Sequence, residues 1–348
     1  MQINKMPQHP ITIPRSRSLP NTLSFVQDPV RHLMQYHREY GRSYYVYVGG
    51  IKKLLITTEP GLIRHVLQKA HRRYEKSELQ TEMVAAYVGR GLITNTGDDW
   101  RRQRRLIQPG FHRERLAKLV NLMQGVISLQ ADALEARIAK QADLDIYPHC
   151  MEIAFRIIGR TIYSDDVHQD ELDQLANSIG KVQAYLIREL RLPFLKWWFR
   201  LSGQYAKHQR LAQQMLNLQG ERIRARQGQA QPPQDLLQML LDSRYEDTGE
   251  GMTEQKLVEE LIILFLAGHE TSANALSWTF HLLGHHPEIR EKVRAELEQT
   301  CPGRAPTLAE CRELCYLNQV IEESMRLYPP AWITDRKALV DDQYEDYD

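Results

Sequence analysis

Apolar residues recur three and four positions apart over most of the chain beyond Pro60. This spacing predicts helices over about 100–108, 114–140, 147–163, 170–190, 203–226, 253–283 and 314–327. Breaks fall at Pro109-Gly110, Leu192-Pro193, Gly284-His-His-Pro287 and Pro329-Pro330, where ring constraints or a missing side chain end a helix. Thr96 and Asp99 suit the start of the first of these helices. Only residues 43–48 and 53–57 read as β-type runs, and Gly49-Gly50 between them predicts a hairpin. The first forty residues are rich in proline and read as irregular, and residues 227–234 read as a polar linker. The expected fold is mainly α with a small β-sheet element, in one domain over residues 1–348 and without internal repeats.

The predicted central helix would be ~46 Å long at about 1.5 Å per residue. Its segment Leu261-Ile-Ile-Leu-Phe-Leu-Ala267 is apolar on every face, which predicts burial all round, yet it is too short to cross a bilayer. Ala267-Gly268-His269-Glu270-Thr271 then interrupts it with small and polar residues. Ala267 and Thr271 are four apart, Gly268 and Thr271 three apart, so the three share a face. Glycine costs a helix about 1 kcal/mol relative to alanine. Small side chains there let a flat, bulky group lie against the backbone, and they equally suit a close helix crossing. His269-Glu270 is also the first half of a two-histidine zinc motif, but Ala273 occupies the second ligand position. His281 and His285 have helix spacing without a third ligand, so no metal site is expected from protein side chains alone.

Two further pairs have chemical spacing. Glu323 and Arg326 are three apart on the last helix, between apolar flanks that predict a buried ion pair. Trp100 and Arg104 are four apart, which suits an indole and a guanidinium on one carboxylate. The formal net charge of the 348-residue chain is +1, so no global field draws it to nucleic acid, and Arg101, Arg102 and Arg105 can act only locally. The N-terminus has no apolar run before Tyr44, so neither a secretory signal nor a transmembrane anchor is expected. Four cysteines in a chain this long make no disulfide framework, which points to the cytoplasm.

In this order, Trp100–x–x–x–Arg104, Ala267-Gly-His-Glu-Thr271, Glu323–x–x–Arg326 with Pro329-Pro330, and Arg336 resemble the cytochrome P-450 family of haem-thiolate monooxygenases over nearly the whole chain. The resemblance implies haem b as cofactor and insertion of one oxygen atom of O2 into an apolar small molecule. Electrons would come from NAD(P)H through an acidic redox partner such as a ferredoxin or flavodoxin-type reductase. It makes Glu270 and Thr271 the proton-delivering pair, and Ala267 and Gly268 the haem-facing residues. Trp100, Arg104 and Arg336 become partners of the haem propionates, and Glu323–Arg326 a structural pair behind the haem. A substrate lid is expected around residues 185–199. The family's Phe–x–x–Gly–x–Arg–x–Cys–x–Gly loop has no counterpart after Arg326, and Cys301, followed by Gly303, lacks the upstream pattern. No iron ligand is therefore assigned. The chain is expected to be a truncated, inactive form of such an enzyme, with a haem-free relic or an apolar-ligand-binding fragment as the alternative.

Overall fold

A computed structural model describes residues 10–48, 52–111, 113–140, 143–164, 167–192 and 195–345. Gly49-Gly50 of the expected hairpin, and Pro193 and Phe194 of the expected lid, lie outside the described residues. Contacts cluster the chain into two compact units, one made of Met1–Val84, Gly180–Leu211 and Asp335–Asp348, the other of Ala85–Ile179 and Ala212–Thr334.

The first unit holds the β-structure. Strand β1 (Ile11–Thr12) runs parallel to β2 (Ser43–Val48), which pairs antiparallel with β3 (Lys52–Thr57) from Ser43↔Thr57 to Val48↔Lys52. Tyr44 on β2 packs with Ile13 and Tyr36 in a small core. Tyr36 comes from helix α2 (Pro29–Tyr40), which follows α1 (Ser18–Gln27). These two helices occupy the stretch whose prolines read as irregular. Pro29 sits in the first turn of α2, where its missing N–H would have had no helical partner, and Asp28 caps that turn by accepting from Arg31 N at 2.9 Å. A second small sheet pairs β4 (Tyr74–Glu75) with β5 (Lys337–Ala338). Asp342 secures the segment around β5 by accepting from His65 Nε2 at 2.8 Å, Arg73 Nη1 at 2.5 Å and Tyr74 Oη at 3.0 Å.

The second unit is helical. It contains α3 (Gly97–Ile107), α4 (Arg113–Ile138), α5 (Ile146–Tyr163), the part of α6 (Gln169–Arg191) up to Ile179 and most of α7 (Gln204–Gln227). It continues through α8 (Leu236–Asp242), α9 (Glu254–His285), α10 (Pro287–Thr300) and α11 (Cys315–Leu327). The seven helices expected from periodicity all form, with ends moved by at most three residues, and α9 is the long central one. Its N-terminal half is the most completely buried run, with Leu261, Ile262, Ile263 and Phe265 all in the core.

Helix α5 crosses α9 at short range. Phe155 lies 5.4 Å from Phe265 between ring centroids, and its ring meets His269 edge-on at 5.3 Å. A side chain at Gly268 would meet Ile158 Cδ1 at 2.9 Å, and Ala273 packs on Cys150 and Ala154. The small residues on this side of α9 therefore serve the crossing.

The wholly buried ion pair of this unit is Arg226–Asp235, bidentate at 2.7 and 2.8 Å. Asp235 also accepts from Gln238 N at 2.9 Å, capping α8, while Arg226 Nη2 donates to the carbonyl of Tyr163 at 3.3 Å. The residues read as a polar linker thus lead directly into a fixed corner.

Candidate functional site

On α9 the burial changes side halfway along. Ala267, Thr271 and Trp278 are exposed, with Leu264, Asn274 and Ala275 half-buried between them. These positions recur every three or four residues and form one stripe. Within it, Thr271 Oγ1 donates to the carbonyl of Ala267 at 2.6 Å. Of the residues expected to share this stripe, Gly268 turns instead toward Ile158. At 100° per residue it lies on the flank next to α5, where its missing side chain makes room for the helix crossing. His269 is buried, and its Nδ1 donates to the carbonyl of Phe265 at 2.7 Å.

Glu270 is half-buried beside the stripe. Its neighbour is Tyr147 near the start of α5, whose phenol is held above its ordinary pKa, first by burial and then by the charge of Glu270. Tyr147 is itself 42% exposed, so the phenol that feels this charge lies at the surface. Sequence reasoning missed it, because a tyrosine at a helix start carries no motif.

The loop preceding α3 lies directly on α9. Gly89 has φ +80°, and a side chain there would meet Glu259 Cγ at 2.2 Å, so both conformation and space require glycine. This approach lets the buried Glu260 accept from Leu92 N at 3.0 Å and from Gln103 Nε2 at 2.7 Å, while Gln103 Oε1 accepts from Asn95 Nδ2 at 2.8 Å. The carbonyl of the same Leu92 accepts from Trp100 Nε1 at 3.1 Å. The Trp100 indole is thus directed at the loop. Arg104 is exposed and has no side-chain partner among the described residues. On the outer side of α3, Arg102 pairs with Asp247 and Arg101 with Asp98.

Glu323 and Arg326 form the expected bidentate pair, with both bonds at 2.7 Å. Their side chains are 56% and 66% exposed, which corrects the expectation of burial: the apolar neighbours Met325, Leu327 and Tyr328 are exposed too, so nothing desolvates the pair. The carboxyl of Glu323 is lowered in pKa by its hydrogen bond from Arg326. Arg336 belongs to the other unit, where it is exposed and donates to the neighbouring carbonyl of Asp335 at 2.6 Å. Cys150 is buried in the α5–α9 crossing, where desolvation raises its thiol pKa; it lies against Ala273, about 200° around the helix from Thr271. Cys301 is buried at the end of α10, and Cys311 and Cys315 are exposed around the start of α11.

The family model of cytochrome P450 matches residues 7–348, and the chain belongs to that family. Among curated relatives, cyclooctat-9-en-7-ol 5-monooxygenase of Streptomyces melanosporofaciens is 29% identical over 82% of this chain and 61% of its own. Pentalenene oxygenase of Streptomyces avermitilis is 30% identical over 82% of this chain and 62% of its own. The chain thus spans about three fifths of the length of these relatives. Among solved structures, retinoic acid-bound cyanobacterial CYP120A1 superposes with a TM-score of 0.78 at 23% identity, over 99% of this chain and 74% of that one. The fold is that of a cytochrome P450.

A haem requires a face without protruding side chains and cations for its propionates. The Ala267–Thr271 stripe fits the first requirement, because its side chains end close to the helix backbone just beyond the buried residues Leu261–Ile263 and Phe265. The exposed Arg104 fits the second.

Proposed function

We propose that this chain carries the oxygen side of a haem-dependent monooxygenase acting on an apolar organic molecule. The observation that carries the reading is the open stripe of α9, with Thr271 Oγ1 bonded to the Ala267 carbonyl at its centre. Ala267 and Thr271 would lie against the macrocycle, and Arg104 would pair with a propionate. Trp100 would hold α3 to its loop and thereby place Arg104. When bound, haem supplies the reductive activation of O2.

The chain's own part is the handling of protons and water. The Thr271 hydroxyl keeps acceptor capacity while it donates to Ala267, and rotation of its O–H presents the donor to the open side. Glu270, one residue away and half-buried, would resupply that proton. The buried run Leu261–Phe265 and the α5 crossing keep bulk water from the inner side of the helix. Two relatives are named as oxygenases, which supports oxygen insertion as the reaction class. The thiolate ligand is assigned to none of the four cysteines, because none sits in the family's cysteine-loop pattern. A ferredoxin or flavodoxin-type protein would deliver electrons, and the chain would work in the cytoplasm; among the described residues no helix is long and apolar enough to cross a membrane.

The test compares a version extended to the full length of the relatives with its Thr271→Ala variant, each supplied with haem, NADPH, a ferredoxin system and a terpene. Haem uptake should be unchanged, while product per electron pair falls by roughly a hundredfold, the lower end of what positioned proton transfer contributes. The lost electrons should appear as hydrogen peroxide. Unchanged coupling would remove Thr271 from the reaction, and failure of the extended parent to take up haem would favour the haem-free alternative.

A further inference from the structure

The last turn of α9 carries a histidine pair that the proposed reaction does not use. His281 and His285 are exposed and one helical turn apart. Their ring centroids lie 4.4 Å apart, with the planes tilted by 47°. Among the described residues no cluster of three or more histidines, cysteines or acids could hold a metal. An ion bound here therefore has two protein ligands and takes the rest from water.

Both rings are braced before any ligand arrives. Tyr328 of α11 stacks on Trp278 at 3.8 Å, nearly parallel, and the His281 ring stands edge-on to that indole at 5.6 Å. Among the described residues no hydrogen bond occupies the ring nitrogens of His281. His285 Nδ1 lies 2.8 Å from the carbonyl oxygen of His281, an atom that can only accept. Nδ1 of His285 therefore carries the proton, and in the neutral ring the lone pair is on Nε2. A backbone carbonyl on the second nitrogen is a usual support of a metal-binding histidine. His208 and His269 make the same backbone bond, but neither has another histidine one turn away.

The spacing selects the geometry. Two imidazoles that meet an ion at right angles through bonds of about 2.0 Å have centroids about 4.5 Å apart, and a tetrahedral angle spreads them to about 5.1 Å. The observed 4.4 Å is that of neighbouring corners of a square or an octahedron. Imidazole ligands in a tetragonal arrangement suit Cu2+, which also tops the affinity order of the first-row divalent ions.

We infer that His281 and His285 form a chelating site for a divalent transition-metal ion, with Cu2+ bound most tightly, through His285 Nε2 and a ring nitrogen of His281. The bound ion ties together the last turn of α9, next to the corner where Pro287 starts α10.

The test titrates the metal-free full chain with Cu2+, and separately with Zn2+, by calorimetry, and records the electron paramagnetic resonance of the Cu2+ form. Haem is not needed for either readout. The parent should bind Cu2+ more tightly than Zn2+ and show hyperfine coupling from a pair of imidazole nitrogens. His281→Gln or His285→Gln leaves a single ring, so Cu2+ affinity should fall roughly a hundredfold, the lower end of what linking two ligands gains. His286→Gln, which changes an exposed neighbour outside the pair, should bind as the parent does. All three variants change exposed positions and should keep the parent's circular dichroism. Binding should fail at about pH 5, because imidazole ligates a metal only when neutral. Absence of parent binding, Zn2+ binding tighter than Cu2+, or a loss in His286→Gln equal to that in the other two variants would overturn the inference. Affinity unchanged in both His281→Gln and His285→Gln would place the ion elsewhere and overturn it as well.

Discussion

Thr271 Oγ1 lies 2.6 Å from the carbonyl oxygen of Ala267 and donates to it across one turn on the open side of α9. Such a bond competes for a carbonyl that the helix ladder also uses, and it locally bends a helix. Here it joins the two residues whose small side chains keep the stripe flat. The hydroxyl oxygen is thereby held in place, with its remaining acceptor capacity toward the stripe.

Arg226 and Asp235 dominate the stability of the second unit's polar interior. Removing one partner leaves an uncompensated buried charge, so Asp235→Ala should cost ~3–5 kcal/mol in urea unfolding. The double change Arg226→Met/Asp235→Leu should recover much of that loss. A double variant as unstable as the single one would show that the cap on α8 matters more than the charge.

Glu323→Ala should hardly change the melting temperature, because exposed ion pairs are screened and solvated in the unfolded chain as well. A large drop would mean that the pair is covered in solution.

Helix positions were legible because burial on one side imposes a 3.6-residue period, as α9 and α5 illustrate. The motif residues at 100, 104, 267–271, 323 and 326 were legible from spacing. Their environment was not: spacing places Glu323 beside Arg326 but does not say whether water reaches them. Gly268 illustrates the same limit, since one glycine serves a flat ligand or a crossing helix equally well until Ile158 is seen. Helices α1 and α2 were hidden because prolines in a first turn look like helix breakers. Glu260 sits next to Glu259 just before the apolar run and was missed because its partners, Leu92 and Gln103, are distant in sequence.

Asp342 sets an acid limit on the first unit. Hydrogen bonds from His65, Arg73 and Tyr74 hold its carboxyl at about 2, below the ordinary 3.8. A depressed pKa stabilises the fold fully above the unfolded value and loses that contribution as pH falls through the folded one. The β4–β5 attachment should therefore weaken between about pH 4 and pH 2. Asp342→Asn should flatten that part of the stability profile; an identical profile for parent and variant would show that Asp342 is not the titrating group.

The most direct measurement is hemin uptake by the parent and by Ala267→Phe, followed through the Soret band and tryptophan quenching. Ala267 is exposed, so a phenylalanine there should leave the melting temperature near the parent's while filling the volume that a macrocycle would need. The expected result is saturable uptake by the parent and loss of most of it in Ala267→Phe. Equal uptake by the two folded proteins would contradict the assignment of the Ala267–Thr271 stripe as the haem face.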